Sequence, residues 1–337
     1  MIKEAMLYEK TDDGKIHCYL CSHHCKISES QYGICGMRQN INDKLFTYAY
    51  GEVIAANIDP IEKKPLFHVL PGTMSMSIAT AGCNFRCGFC QNWQISQTSK
   101  KRDPNLAMKP MLPSAVIQRA IQHNCHSISY TYTEPTIFFE YAYDIARLAK
   151  QKGLLNIFVT NGFMTPAAVV AIQPYLDAAN VDLKGFNNHF YEKICHGQLQ
   201  PVIDTITLMK ELNIWVEITT LLIPKTNDSK EELADMARFI ASVDKDMPWH
   251  ISRFHPDYNF KHIGSTPIET LELAYFLGKD AGLRYVYIGN VSQGETPKTT
   301  CPECKKDIIE RKGYWVTENN MDGSKCVYCH TEIAGVY

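Results

Sequence analysis

The chain has 337 residues, with 34 Lys plus Arg against 36 Asp plus Glu and a formal charge of −2, which leaves no electrostatic footprint for nucleic acid. At 45% hydrophobic and 21% charged it has the apolar content of a folded soluble protein, enough for one large domain or two to three smaller units. No run approaches the roughly 18 apolar residues that span a bilayer, and the charged stretch Met1 to Lys15 lacks the apolar core of a secretory signal. Thirteen cysteines in such a chain point to metal sites rather than disulfides.

The segment 1–70 carries Cys18, Cys21, Cys25 and Cys35, spaced C-x2-C-x3-C-x9-C. This quartet suits zinc or a second iron–sulfur cluster, and His17, His23 and His24 lie close enough to replace a thiolate. From residue 71 the pattern changes. Apolar β-like runs at 74–80, 127–132, 155–160, 180–184, 214–222, 249–254 and 284–288 alternate with helical patterns. The helices are expected at 114–123, 137–152, 166–178, 202–212, 230–243 and 269–281. Thr165-Pro166 supplies a cap and a first-turn proline, and Gly153 and Gly282 end two others. The stretch 97–113, polar and basic with two prolines, reads as a long loop. Alternation of this kind predicts parallel strands under outer helices, a partial (β/α)6-type barrel with its chemistry at the C-terminal strand ends. The tail from 297 carries Cys301-x2-Cys304 and Cys326-x2-Cys329, a zinc-ribbon or rubredoxin-like pattern for zinc or a single iron. The expected fold class is α/β, divided into 1–70, 71–296 and 297–337. Cys125 and Cys195 fall outside the three groups and read as small buried residues, with Cys195 also a candidate pocket thiol.

The end of the first expected strand carries Cys83-x3-Cys87-x2-Cys90. Three thiolates on one loop can hold three irons of a cubane and leave the fourth open to a ligand that reacts. A zinc knuckle borrowing a distant fourth ligand is the alternative, although zinc sites more often use paired C-x2-C knuckles. The run, with Phe89 just before its last cysteine, resembles the signature of the radical S-adenosylmethionine (SAM) superfamily. Thr133-Glu134-Pro135 ends the second strand, where Glu134 could cap a helix. The same superfamily carries a small residue-Glu-Pro motif there, which implies that Glu134 binds the SAM amino group beside Thr133. Thr160-Asn161-Gly162 ends the third strand, where Asn-Gly also serves a turn. Asp182 and Lys184 end the fourth and point to one face. Arg253 and His255 close the sixth strand, and Gly289-Asn290 the seventh. His255 could be structural; Arg253 suits an anionic substrate group or an ion pair, and Gly289-Asn290 lets backbone approach a nucleoside.

Thr160-Asn161-Gly162 and Asp182-Leu183-Lys184 are similar to runs in the activating enzymes of glycyl-radical enzymes. That likeness implies that Lys184 meets the SAM carboxylate, that Asp182 and Thr160 lie near it, and that His255 lies by the ribose. Val159 stands where those activases often place an acid. Over its whole length the chain resembles the AmmeMemoRadiSam system radical SAM enzymes. The resemblance rests on Cys18 through Arg38, on Asn57-Ile58-Asp59-Pro60-Ile61-Glu62-Lys63-Lys64-Pro65-Leu66-Phe67-His68, on Cys90-Gln91-Asn92-Trp93 and on the cysteine tail. It implies a [4Fe-4S] cluster and SAM as cofactors, with reductive cleavage of SAM to a 5′-deoxyadenosyl radical that takes hydrogen from a substrate. It also implies Memo-like and AMMECR1-like proteins as partners, a reductant such as flavodoxin or ferredoxin, and a cytoplasmic, low-oxygen setting. Two competing expectations are an activase that installs a glycyl radical and a non-enzymatic metal scaffold. The scaffold requires a fourth protein ligand on the loop triplet.

Overall fold

The computed structural model describes residues 1–291 and 297–337. Its centre is a nine-stranded mixed sheet. Seven parallel strands follow one another in chain order: Met74–Thr80, Ser127–Tyr130, Leu155–Thr160, Ala178–Asp182, Trp215–Leu222, Trp249–Arg253 and Val286–Gly289. Each lies within a few residues of its expected place. They are buried nearly throughout, as strands must be when both faces are covered, which is why they read as apolar runs rather than alternating ones.

The helices between them follow from local rules. In Lys230–Val243 the buried residues Leu233, Met236, Ala237 and Ile240 recur at i, i+3, i+4 and i+7. Ser229 caps this helix by accepting from the Glu232 N–H at 3.2 Å, and Glu231 and Glu232 favour its positive end. Helix Pro166–Ile172 stops six residues before its expected end because Pro174 lacks an N–H and restricts the residue before it. The helix expected from residue 137 begins as a 3-10 turn, Pro135–Phe138, and becomes α-helical over Phe139–Lys150.

Strand Glu52–Pro60, which the sequence pattern did not reveal, pairs antiparallel with the outer side of Met74–Thr80, and Lys109–Pro110 pairs with it in turn. Segment 1–70 therefore contributes a strand to the main sheet across the boundary expected at 70. The rest of that segment forms two small antiparallel sheets. The expected boundary at 296–297 falls against residues 292–296, which lie outside the described residues. The tail forms a three-stranded antiparallel sheet, Thr299–Thr300, Asp307–Lys312 and Trp315–Asn319, and a hairpin of Met321–Asp322 and Lys325–Cys326. It is clamped to residues 61–72: Val336 bonds His68 and Leu70 through backbone at 2.7 and 2.8 Å, and Arg311 donates to the Phe67 carbonyl at 2.9 Å. No helix among the described residues is long and apolar enough to cross a membrane.

Candidate functional site

The C-terminal ends of the seven parallel strands border one cavity of about 570 Å³, within the range of small-molecule sites. Cys83, Cys87, Phe89 and Cys90 line it from the loop after the first strand. Thr133 and Glu134 come from the second, Thr160 and Asn161 from the third, Asp182 and Lys184 from the fourth, and Asn290 from the seventh. Eleven candidate residues spread over some 200 positions of sequence line this cavity, while His255 and Arg253 stay off it. The His255 ring is held between Ser265 Oγ (3.3 Å) and the Asn290 carbonyl (3.2 Å). Arg253 is likewise structural, donating to the Thr266 carbonyl at 2.8 Å. Its expected role toward an anionic substrate finds no support in this geometry.

The cysteine loop is held by its neighbours. Arg86 N and Gly88 N donate to the carbonyls of Cys195 and Ile194 at 2.9 and 3.3 Å, tying the loop to a π-helical turn, Tyr191–Cys195. Gly197 is required here, because a Cβ would stand 2.3 Å from the Phe85 ring. The Ser96 hydroxyl lies 3.1 Å from Cys90 Sγ, and Asn161 Nδ2 donates to Asn84 Oδ1 at 2.8 Å. Cys195 sits against Cys87; that contact first, and burial second, push the Cys87 thiol well up. Cys195 is thus a neighbour of the loop triplet, a role its sequence context did not show.

Glu134 is buried and hydrogen-bonded on both oxygens. Oε1 accepts from Thr136 N (3.1 Å), Thr136 Oγ1 (2.6 Å) and Thr160 Oγ1 (2.7 Å), and Oε2 accepts from Asn161 N (2.8 Å). It caps the 3-10 turn and fixes the Thr160-Asn161-Gly162 corner at once. Burial raises its pKa against the pull of those donors, and one lone pair of Oε2 stays free for a further donor. Lys184 Nζ lies 2.9 Å from Asp182 Oδ2. Burial would lower the Lys184 pKa, but Asp182 and the thiols of Cys87 and Cys195 outweigh it and raise the pKa well above the ordinary value.

Two further polar groups line the cavity and were missed as site residues. Lys64 is buried with its Nζ 2.6 Å from Asp59 and 4.6 Å from the Tyr132 ring centroid, and Tyr132 donates to the same carboxylate. Burial lowers Lys64 to about 8. Tyr132 reaches Asp59 from a left-handed backbone, φ +65°, a conformation that costs energy for an aromatic residue. The second group is His250, whose Nε2 lies 2.6 Å from Glu217 Oε2, while Glu217 also accepts from the Phe67 and His68 N–H groups at 3.0 and 2.8 Å. A buried acid in an otherwise apolar strand was the available signal for Glu217. Nothing local marked Asp59 or Tyr132.

The residues fit the expected cofactors. Among the described residues, the tail quartet is the one group of three or more metal-binding side chains whose ligand atoms all lie within 4.8 Å of one another. The loop triplet is spread wider, as ligands to three separate irons must be. The Thr219 hydroxyl, buried and without a partner, lines the same cavity.

A parallel α/β sheet with a three-cysteine loop and a large cavity at its strand ends defines an enzyme of the radical SAM class. The Radical SAM superfamily profile matches residues 77–240. An uncharacterized protein of Methanocaldococcus jannaschii, MJ0808, is 44% identical over 98% of this chain and 99% of its own length. A second protein of that organism, MJ1632, provisionally named a glycyl-radical enzyme activating enzyme, is 26% identical over 64% of this chain and 79% of its own. The fold is also that of a radical SAM methyltransferase from Sphaerobacter thermophilus, with a TM-score of 0.51 at 12% identity over 86% of this chain and 76% of that one. The match over residues 77–240 makes this chain an enzyme of the radical SAM class, which implies a [4Fe-4S] cluster and SAM.

Proposed function

We propose that this protein is an AmmeMemoRadiSam-type radical SAM enzyme acting on a small molecule, or on a peptide presented by partner proteins. The observation that carries the reading is the convergence of Cys83, Cys87 and Cys90 with Glu134, Thr160, Asp182 and Lys184 on one cavity. Cys83, Cys87 and Cys90 would hold the cluster at the strand ends of a partial barrel. When bound, the cluster supplies the electron that cleaves the SAM sulfonium to methionine and a 5′-deoxyadenosyl radical.

The chain's own residues do the rest. Glu134 offers the free lone pair of Oε2 to the SAM amino group, and Lys184 meets the carboxylate. Asp182 and Thr160 orient those two. Phe89, Thr133, Asn161 and Asn290 complete the wall, and His255 supports Asn290 from behind instead of touching SAM. The cavity walls exclude water that would quench a radical. The tail quartet holds zinc: Cys301 and Cys329 sulfurs lie 3.6 Å apart and those of Cys304 and Cys326 3.8 Å, close to the edge of a tetrahedron with metal–sulfur bonds of about 2.3 Å. Memo-like and AMMECR1-like partners, a flavodoxin or ferredoxin reductant and a cytoplasmic site belong to the same proposal, as does a separate tail module from about residue 297.

The decisive experiment is anaerobic. The reconstituted, reduced protein is expected to form 5′-deoxyadenosine from SAM, and Cys87→Ala to form none. Deoxyadenosine from Cys87→Ala would remove the cluster assignment. Glycyl-radical activation is the second reading, favoured by the likeness to MJ1632; a glycyl-radical signal raised in a partner protein would establish it.

A further inference from the structure

The N-terminal quartet has no part in the reaction just described, yet its four sulfurs are gathered. Cys18, Cys21, Cys25 and Cys35 line one cavity, with Arg38 and Ile137 beside them. Cys18 and Cys25 face each other across an antiparallel pair, and Cys21 is bridged to Met164 of the main domain. A single zinc ion would draw four thiolates to about 3.8 Å from one another, and the tail quartet has that geometry. The N-terminal quartet does not: no three of its sulfurs, nor any combination with His17, His23 or His24, come within 4.8 Å of one another. The histidines are engaged elsewhere. His23 Nε2 lies 2.8 Å from the Asn84 carbonyl, and His17 lies 2.8 Å from Glu9 and 3.2 Å from His24. Four cysteines around one cavity at a wider spacing than the tail quartet suit the donor set of a cluster, in which each sulfur binds a different iron. A buried Arg38 guanidinium, already ion-paired with buried Glu140, also donates to Cys18 Sγ at 3.4 Å and so holds that sulfur in place.

The position is informative as well. Arg86 NH1 donates to the Cys83 carbonyl at 3.1 Å while its NH2 donates to the Ile34 carbonyl at 2.7 Å, so one guanidinium spans from the catalytic loop to the residue before Cys35. Gly82, directly before Cys83, packs closely on the same segment, where a Cβ would stand 3.1 Å from Met37, two residues after Cys35. His23 and Asn84 make the second bridge between the loops. On the other side the quartet nears solvent, where Ile34 is exposed and its N–H donates to Cys25 Sγ at 3.5 Å.

We propose that Cys18, Cys21, Cys25 and Cys35 hold a second [4Fe-4S] cluster that passes electrons to the cluster on the Cys83 loop. The relay rests on the radical SAM reading; the binding site does not. A low-potential one-electron donor protein of the flavodoxin or ferredoxin class reduces the N-terminal cluster from the 2+ to the 1+ state. Its return to 2+ delivers that one electron to the loop cluster, and no proton or atom moves.

The test is metal and acid-labile sulfide analysis with electron paramagnetic resonance on the anaerobically reconstituted full chain. Sulfide is counted because a mononuclear tail site adds none. The wild type is expected to hold about eight sulfides, and the triple variant Cys83→Ala/Cys87→Ala/Cys90→Ala about four with a reduced-cluster signal. Cys21→Ser/Cys25→Ser should also keep about four, bind SAM, and cleave it at the wild-type rate with dithionite but at least tenfold more slowly with flavodoxin. About four sulfides in the wild type and none in the triple variant, with zinc at the N-terminal quartet, would overturn the site and leave the radical SAM reading intact. Equal flavodoxin-driven rates would overturn the relay. A wild type that kept the N-terminal cluster but bound no SAM would instead overturn the radical SAM reading alone.

Discussion

Replacing Glu134 by glutamine separates its two duties. The amide keeps the volume and can still accept through one oxygen from Thr136 and Thr160, but it turns an NH2 donor toward the Asn161 N–H that Oε2 now satisfies at 2.8 Å. One hydrogen bond to a charged acceptor is lost, worth about 1.5–3 kcal/mol, and a buried backbone donor is left without a partner. The Asn161 side chain, which ties the third strand to Asn84 of the cysteine loop, is then free to shift. Urea unfolding of the reconstituted Glu134→Gln protein should show a loss of about 2–3 kcal/mol, and calorimetry should show SAM binding at least tenfold weaker. Stability within about 0.5 kcal/mol of wild type, the usual range for a substitution outside such features, would refute the claim that this carboxylate holds the corner. Unchanged SAM affinity would refute its role toward the amino group.

Further outcomes are expected from other residues. Burial holds His68 down at about 4 in the folded protein, against 6.5 in the unfolded chain. Its contribution is therefore complete above pH 6.5 and lost as pH falls toward 4. Wild type should lose about 2 kcal/mol more than His68→Gln between pH 7.5 and pH 5, measured by urea unfolding; parallel curves would show that His68 is not buried neutral. Removing the Cys195 thiol from beside Cys87 by Cys195→Ala should leave iron content unchanged and shift the loop cluster to a more negative potential, read by a redox titration, since hydrogen bonds to cluster sulfurs raise it. A strong zinc chelator should strip the tail quartet and unfold the sheet clamped to residues 61–72, exposing the Leu70 and Val336 amides to hydrogen exchange; retained protection would show that the tail folds without its metal.

Much of the fold was legible because it depends on periodicity within short windows. Seven buried parallel strands are apolar runs whatever their neighbours, and a helix such as Lys230–Val243 carries its cap, first-turn acids and apolar stripe within itself. Glu52–Pro60 escaped notice because it reads as a mixed, half-exposed stretch, and it becomes a strand only when Met74–Thr80 lies beside it. The truncated helix after Thr165 could have been read from Pro174.

The candidate site residues were legible for a different reason. Three cysteines at cluster spacing on one loop make Cys83, Cys87 and Cys90 stand out, and the strand ends place Glu134 and Lys184 beside the same cavity. Sequence by itself thus determined the class of chemistry and the face of the sheet that bears it. Only the tertiary structure decided that Cys195 meets Cys87, that Glu134 bonds Asn161, that Asp59 holds Lys64 and Tyr132 on one cavity wall, and that Arg253 and His255 stay off it. These are contacts between residues far apart in the chain, fixed by which strands lie side by side and by which groups burial forces to find partners. No local pattern encodes them.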